Sequence, residues 1–225
     1  MKMLNQQATP GQTRGIKFTV LAIVIFMAVV VAGFVYRIQQ PRVMTEAEMK
    51  VNGFYMLENP RNFGEFTLVD HNGKPFTRDR FLGRWTLVFF GFTHCPDICP
   101  TTMAFLNEFI GQLEGTEAQE TAIVMVSVDP ARDTVEQLAT YVPYFNPDFT
   151  GVTGEFLDIH RFATALNTPF RKVPGQDDNY LVDHSANVVL INPRGDYHGF
   201  FKAPLDLAKM KVTYRSALTM WDLAN

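Results

Sequence analysis

The chain has 225 residues, of which 47% are hydrophobic and 20 are Phe, enough for one packed domain with an appendage and too apolar for a disordered chain. Three of its 20 basic residues (Lys2, Arg14 and Lys17) precede the first apolar run, which leaves 17 bases against 23 acids and excludes a basic nucleic-acid-binding domain. Its two cysteines are too few for a disulfide framework.

Residues 1–17 read as a short cytoplasmic tail. Phe18 to Tyr36 follows, about 19 residues without a charge. At ~1.5 Å per residue this helix nearly spans a hydrocarbon core of roughly 30 Å. A cleaved signal peptide would have a shorter apolar region and a small-x-small cleavage site. Tyr36-Arg37-Ile38-Gln39-Gln40 is a poor site, so residues 18–36 are expected to stay as a transmembrane anchor. Arg14 and Lys17 on one side, and Arg37 and Arg42 on the other, leave the positive-inside rule nearly silent. A short tail kept in the cytoplasm is the simpler orientation. The stretch before Phe18 lacks the amphipathic, Arg-rich pattern of a mitochondrial transit peptide. The expectation is therefore a single-pass protein of a bacterial inner membrane, its domain facing the periplasm.

Residues 37–60 are polar with mixed charge and read as a linker; residues 61–225 read as the domain. Glu65 to Val69 alternates like a strand, and Asp70-His71-Asn72-Gly73 predicts a type I′ hairpin turn into Lys74–Thr77. Thr86–Phe92 is a continuous apolar run that suits a central strand covered on both faces. Met103, Leu106, Phe109, Ile110 and Leu113 recur with helical period, with Gly115 as the expected residue closing that helix. Ala122–Val128 is a second buried strand. Asp129 to Thr134 is a turn in which Asp133 or Thr134 caps a helix running to Tyr144. Phe149–Thr153 reads as a strand, Glu155–Leu166 as a helix and Lys172–Asp183 as a polar loop. Asn187–Ile191 and Tyr197–Phe201 form a hairpin around Asn192-Pro193-Arg194-Gly195, and Pro204 to Leu223 is a terminal helix. This order predicts an α/β domain: a mixed sheet flanked by helices, as in the thioredoxin-like architecture, preceded by one transmembrane helix.

The two cysteines lie together in Gly91-Phe92-Thr93-His94-Cys95-Pro96-Asp97-Ile98-Cys99-Pro100, between a buried strand and a helix. Each precedes a proline, which disfavours the α region and places both in a turn at the helix entrance. A helix N-terminus favours thiolate, which serves both as nucleophile and as metal ligand, so position alone leaves redox and metal chemistry open. Three residues separate the cysteines, one more than in thioredoxin-type dithiols, and the longer loop lets both sulfurs converge on an ion without forbidding a disulfide. Asp97 inside the loop is tolerable beside a bound cation or simply faces water. His184, in Val182-Asp183-His184-Ser185-Ala186, is the best third ligand, because the strand that follows it packs beside the cysteine loop in a thioredoxin-like sheet. Two thiolates and an imidazole suit Cu(I), with Cu(II) accommodated if an oxygen joins; zinc wants a fourth ligand. His94 is expected to point away from Cys95. His71, His160 and His198 are read as structural or solvated, and the methionines as packing residues.

The cysteine motif, together with Ser127-Val128-Asp129-Pro130-Ala131-Arg132-Asp133-Thr134 and then Asp183-His184-Ser185, resembles the SCO/SenC family in order and spacing, over about Phe63 to Leu218. The resemblance implies a membrane-tethered copper protein that assists assembly of cytochrome c oxidase, chiefly its CuA centre. It places the copper ligands on Cys95, Cys99 and His184. It implies as partners the oxidase subunit carrying CuA and another copper chaperone as donor. Some members of the family act instead as thiol reductants. The leading reading is thus a metallochaperone rather than an enzyme, and the second a thiol–disulfide oxidoreductase using Cys95 and Cys99. A peroxiredoxin-like peroxidase drawing on Thr93 and Arg132, and a purely structural interaction domain, rank lower.

Overall fold

The computed structural model describes residues 10–39, 43–173 and 180–224. The chain divides into two compact units, Met1–Arg42 and Val43–Asn225. The first unit is one helix, α1 (Pro10–Gln39). Its stretch Gly15–Ile38 has 24 residues and a mean hydropathy of 2.9, long and apolar enough to cross a membrane. The expected segment 18–36 lies inside it. Of the expected tail, residues 1–9 lie outside the described residues, and from Pro10 the chain is already helical.

The second unit runs α2 (Glu46–Val51), β1 (Phe54–Arg61), β2 (Thr67–Asp70), β3 (Pro75–Thr77), β4 (Trp85–Gly91), α3 (Ile98–Gly111), α4 (Thr116–Gln119), β5 (Thr121–Ser127), α5 (Val135–Phe145), β6 (Thr150–Thr153), α6 (Phe156–Ala165), β7 (Phe170–Lys172), β8 (Val182–His184), β9 (Val188–Ile191), β10 (Tyr197–Phe201) and α7 (Leu207–Ala224). Eight strands form one sheet in the order β1-β10-β9-β4-β5-β6-β2-β3. β4, β5 and β6 are parallel neighbours, and the other pairings are antiparallel. Helices cross over between the parallel strands, as right-handed βαβ connection requires. β4 is central, and all seven of its residues are buried. Because successive side chains alternate faces, Trp85 and Phe90 point to opposite layers. Trp85 meets Trp221 of α7 at 5.6 Å, and Phe90 meets Phe162 of α6 at 5.7 Å. α3 shares the α7 layer through Phe109 and Tyr214, 5.4 Å apart. The mixed, helix-flanked sheet is the thioredoxin-like architecture expected.

Several boundaries differ from the sequence reading. Residues 43–60, expected as linker, belong to the folded unit. Thr45 and Glu48 form a capping box that starts α2, and Met49 and Phe54 are fully buried. β1 then adds an edge strand to β10. The mixed charge of this stretch sits on its outer face and hides the two inward residues. The Asp70–Gly73 hairpin forms, but not as a type I′ turn. Gly73 has φ +74°, whereas Asn167 is the one non-glycine with positive φ among the described residues. The buried Asp70 carboxylate sets the turn instead, accepting from the amides of Asn72 and Lys74 at 2.9 Å each. α3 ends at Gly111 rather than Gly115, which instead precedes α4 with φ +59°. α7 begins at Leu207, after Asp206 rather than Pro204: Asp206 accepts from the Lys209 amide at 2.9 Å through its side chain. Within the expected polar loop 172–183, residues 174–179 lie outside the described residues. The flanks pair as the two-stranded sheet β7–β8.

Candidate metal centre

β4 ends at Gly91 and the chain turns over six residues into α3. The turn is held from below by Asp133, which is fully buried. Its carboxylate accepts from the Thr93 amide at 3.0 Å, from the Thr93 hydroxyl at 2.6 Å and from the Ser127 hydroxyl at 2.6 Å. Thr134, not Asp133, caps α5, accepting from the Gln137 amide at 3.2 Å. The Asp129–Thr134 segment was legible as a turn. That Asp133 would point back under the cysteine loop was not, because the contact spans 40 residues. Asp129 anchors the neighbouring side: Arg132 and the Tyr180 hydroxyl both donate to it at 2.5 Å.

Cys99 lies inside the first turn of α3 rather than ahead of it. Pro100 is tolerated there because its missing N–H would have no partner within the helix; the first i→i−4 bond runs from the Thr101 amide to Asp97, at 3.2 Å. The Cys99 amide donates to Cys95 Sγ at 3.4 Å, which seats that sulfur over the helix start. Close approach needs Gly91: a Cβ there would lie 2.6 Å from the Phe89 ring and 3.1 Å from Cys99 Sγ.

His184 ends β8, where it pairs with Phe170. Its Nδ1 lies 3.1 Å from the Ser185 carbonyl. A carbonyl only accepts, so Nδ1 carries the proton and Nε2 presents a lone pair. Nε2 stands 3.5 Å from Cys99 Sγ. The rings of Phe89 and Phe92 flank the imidazole edge-on, at 6.1 and 5.8 Å. The ligand atoms of Cys95, Cys99 and His184 all lie within 4.8 Å of one another. Among the described residues this is the one group of three or more His, Cys, Asp or Glu side chains placed to hold an ion.

Burial pushes the Cys99 thiol far above its ordinary range, and the nearby Cys95 and Asp133 raise it further against a backbone hydrogen bond at Phe92. Burial also lowers His184, which the Ser185 carbonyl, Asp183 and the Phe90 carbonyl partly oppose. The metal-free site is therefore a protonated Cys99 thiol beside a neutral imidazole, and an incoming cation must displace a proton. The donor set is soft and low in number, matching Cu(I) better than zinc, for which no fourth ligand stands nearby among the described residues.

The remaining sequence candidates fall outside this group. His94 turns to Thr93 Oγ1 at 3.0 Å and to Asp133 at 3.7 Å. Asp97 is exposed. His71 accepts from the Gly151 amide at 2.8 Å, and His160 packs against Phe156 and Phe170. Arg132 serves Asp129 and the Tyr180 carbonyl rather than the sulfurs.

A family model described as SCO1/SenC matches residues 56–218. A putative copper-binding protein of Stutzerimonas stutzeri is 40% identical over 152 residues, covering 68% of this chain and 74% of that protein. The human mitochondrial SCO2 homolog is 39% identical over 141 residues, which is 60% of this chain and 53% of the relative. The crystal structure of Arabidopsis thaliana ScoI with copper bound superposes with a TM-score of 0.66 at 34% identity, covering 70% of this chain and 98% of that one. Sequence, fold and the Cys-Cys-His group agree: the chain belongs to the SCO1/SenC family.

Proposed function

We propose that this chain binds copper through Cys95, Cys99 and His184 and delivers it to the cytochrome c oxidase subunit that carries the CuA centre. The observation that carries this reading is His184 Nε2, 3.5 Å from a buried cysteine sulfur on a helix 85 residues away. A structural cysteine needs no such partner; a soft cation does. Two thiolates and one imidazole leave the ion coordinatively unsaturated, so a recipient thiolate or imidazole can join before a donor here leaves. Cys95, the half-buried member, is the ligand an incoming group meets first. Tethering through α1, with the folded unit on the periplasmic side of a bacterial inner membrane, would concentrate the donor near a membrane-bound recipient. Another copper chaperone would load the site.

The test is an anaerobic Cu(I) titration of the reduced full chain against a competing chelator, with His184→Ala in parallel. A tight copper site, weakened about 10-fold or more in the variant, supports the reading. Weak binding indifferent to His184 overturns it.

A second reading, thiol–disulfide exchange with the oxidase subunit or another partner, rests on the same two sulfurs, which lie within 4.8 Å in reduced form. In that chemistry Cys95 would be the attacking sulfur, because Cys99 is buried and its thiol is held protonated.

A further inference from the structure

A second cluster of soft donors lies at the other end of the central strand. Trp85 opens β4 and Gly91 closes it before the cysteine loop. Six residue steps at ~3.3 Å separate the two ends by about 20 Å. Beside Trp85 sits His198, only 5% exposed. It lies where the β10 register slips: Tyr197 opposes Ile191, yet Gly199 opposes Leu190, so His198 is the extra residue of a bulge. A bulge re-aims a side chain, and this one turns the imidazole under the sheet-facing end of α7. The ring stands at 80° to both Trp85 and Trp221, 5.0 and 5.8 Å away.

Neither ring nitrogen of His198 has a hydrogen-bond partner among the described residues. A neutral imidazole offers one N–H and one lone pair. An indole face can receive the N–H weakly, but nothing there donates to the lone pair. Buried polar atoms of this kind are usually satisfied by a water, an ion or another ligand. The ring also lines a cavity of about 320 Å3 shared with Met56, Met220, Trp221, Arg194 and Glu58. Two thioethers, an imidazole lone pair and an indole face are the donors a soft monovalent cation takes, and hard cations refuse. The Arg194 guanidinium lies 4.6 Å over Trp221 and 3.7 Å from Asp196, and the exposed Glu58 lines the same cavity.

We infer that His198, Met56 and Met220 form a second binding site for a soft monovalent metal ion, Cu(I) by chemical class, separate from the cysteine site. The chain has only two cysteines and only two tryptophans, and both tryptophans touch His198. That gives a direct test with Ag(I), a redox-stable probe. The full chain carrying Cys95→Ser, Cys99→Ser and His184→Ala lacks all three proposed ligands of the first site, so that site cannot contribute. Titration with Ag(I) is expected to change tryptophan emission saturably at one ion per chain. Met220→Leu and Met56→Leu keep side-chain volume and are each expected to weaken binding about 10-fold or more, and His198→Phe to abolish it. Absence of a saturable change, or equal binding in the leucine variants, overturns the site. Either result leaves the reading of the cysteine site untouched.

Discussion

Cys99 Sγ and His184 Nε2 stand 3.5 Å apart, a thiol held protonated by burial against an imidazole held neutral by burial. Copper bound through Cys99 and His184, as proposed, would expel the Cys99 proton, whereas the neutral His184 ring would need to lose none. Apparent Cu(I) affinity should therefore rise at least about 10-fold per pH unit between roughly pH 6 and 8. Because His184 is lowered from the ordinary histidine value, the slope should not steepen as pH falls through about 6.5. Chelator competition at several pH values reads both features. A flat profile would mean that Cys99 is already a thiolate.

Gly91 packs beside the Cys99 member of this pair. A methyl group there would sit 2.6 Å from the Phe89 ring, in a fully buried layer with nowhere to move, and 3.1 Å from Cys99 Sγ. Gly91→Ala is expected to cost about 1–3 kcal/mol in denaturant unfolding and to displace the sulfur from His184. Cu(I) affinity should fall in a variant that keeps all three proposed ligands. Unchanged affinity together with lost stability would show that the sulfur position is not set by this contact.

These two residues mark what the sequence did and did not disclose. Cys95 and Cys99 were legible as a site because they are the only thiols and sit at a strand–helix junction. His184 was legible only through the fold, since it is the sheet that brings a residue 85 positions away to the sulfur. The strands of the core announced themselves as apolar runs such as Thr86–Phe92. α2 and β1 did not: Met49 and Phe54 are two inward residues in a charged stretch, too few to show a period. Thr45 and Glu48, three apart, were the available signal for that helix. The hairpin at Asn72-Gly73 was placed correctly and typed wrongly, because a buried aspartate outweighed the local preference of the turn residues.

Asp133 is a helix-cap candidate by sequence, and its role in the structure sets a different expectation. It satisfies three donors in the dry layer beneath the cysteine loop. Asp133→Ala leaves the Thr93 amide and the Ser127 hydroxyl with no acceptor, and the Thr93 hydroxyl only His94, and should destabilise the fold by about 2–4 kcal/mol. Thr134→Ala removes only the cap bond to Gln137 and should cost about 1 kcal/mol. Parallel denaturant titrations compare the two. Equal losses would show that Asp133 does not hold the loop.

His198 links stability to pH in a window separate from the cysteine chemistry. Burial, helped by the Arg194 charge, lowers its pKa from 6.5 to about 4. Above 6.5 the ring is neutral in both folded and unfolded chains, and the stabilisation is fully present. Between 6.5 and about 4 the unfolded chain binds a proton that the folded chain refuses, so stability falls as pH falls; below about 4 this contribution is lost. The depressed value corresponds to about 3 kcal/mol across that window. His184 adds a loss of the same sign, which the comparison must remove. The quantity to measure is therefore the difference in unfolding free energy between the parent chain and His198→Phe, taken at several pH values from about 7 down to 4. That difference should shift by about 3 kcal/mol in favour of the phenylalanine variant as the pH drops. A constant difference would mean that the folded chain protonates His198 as readily as the unfolded one.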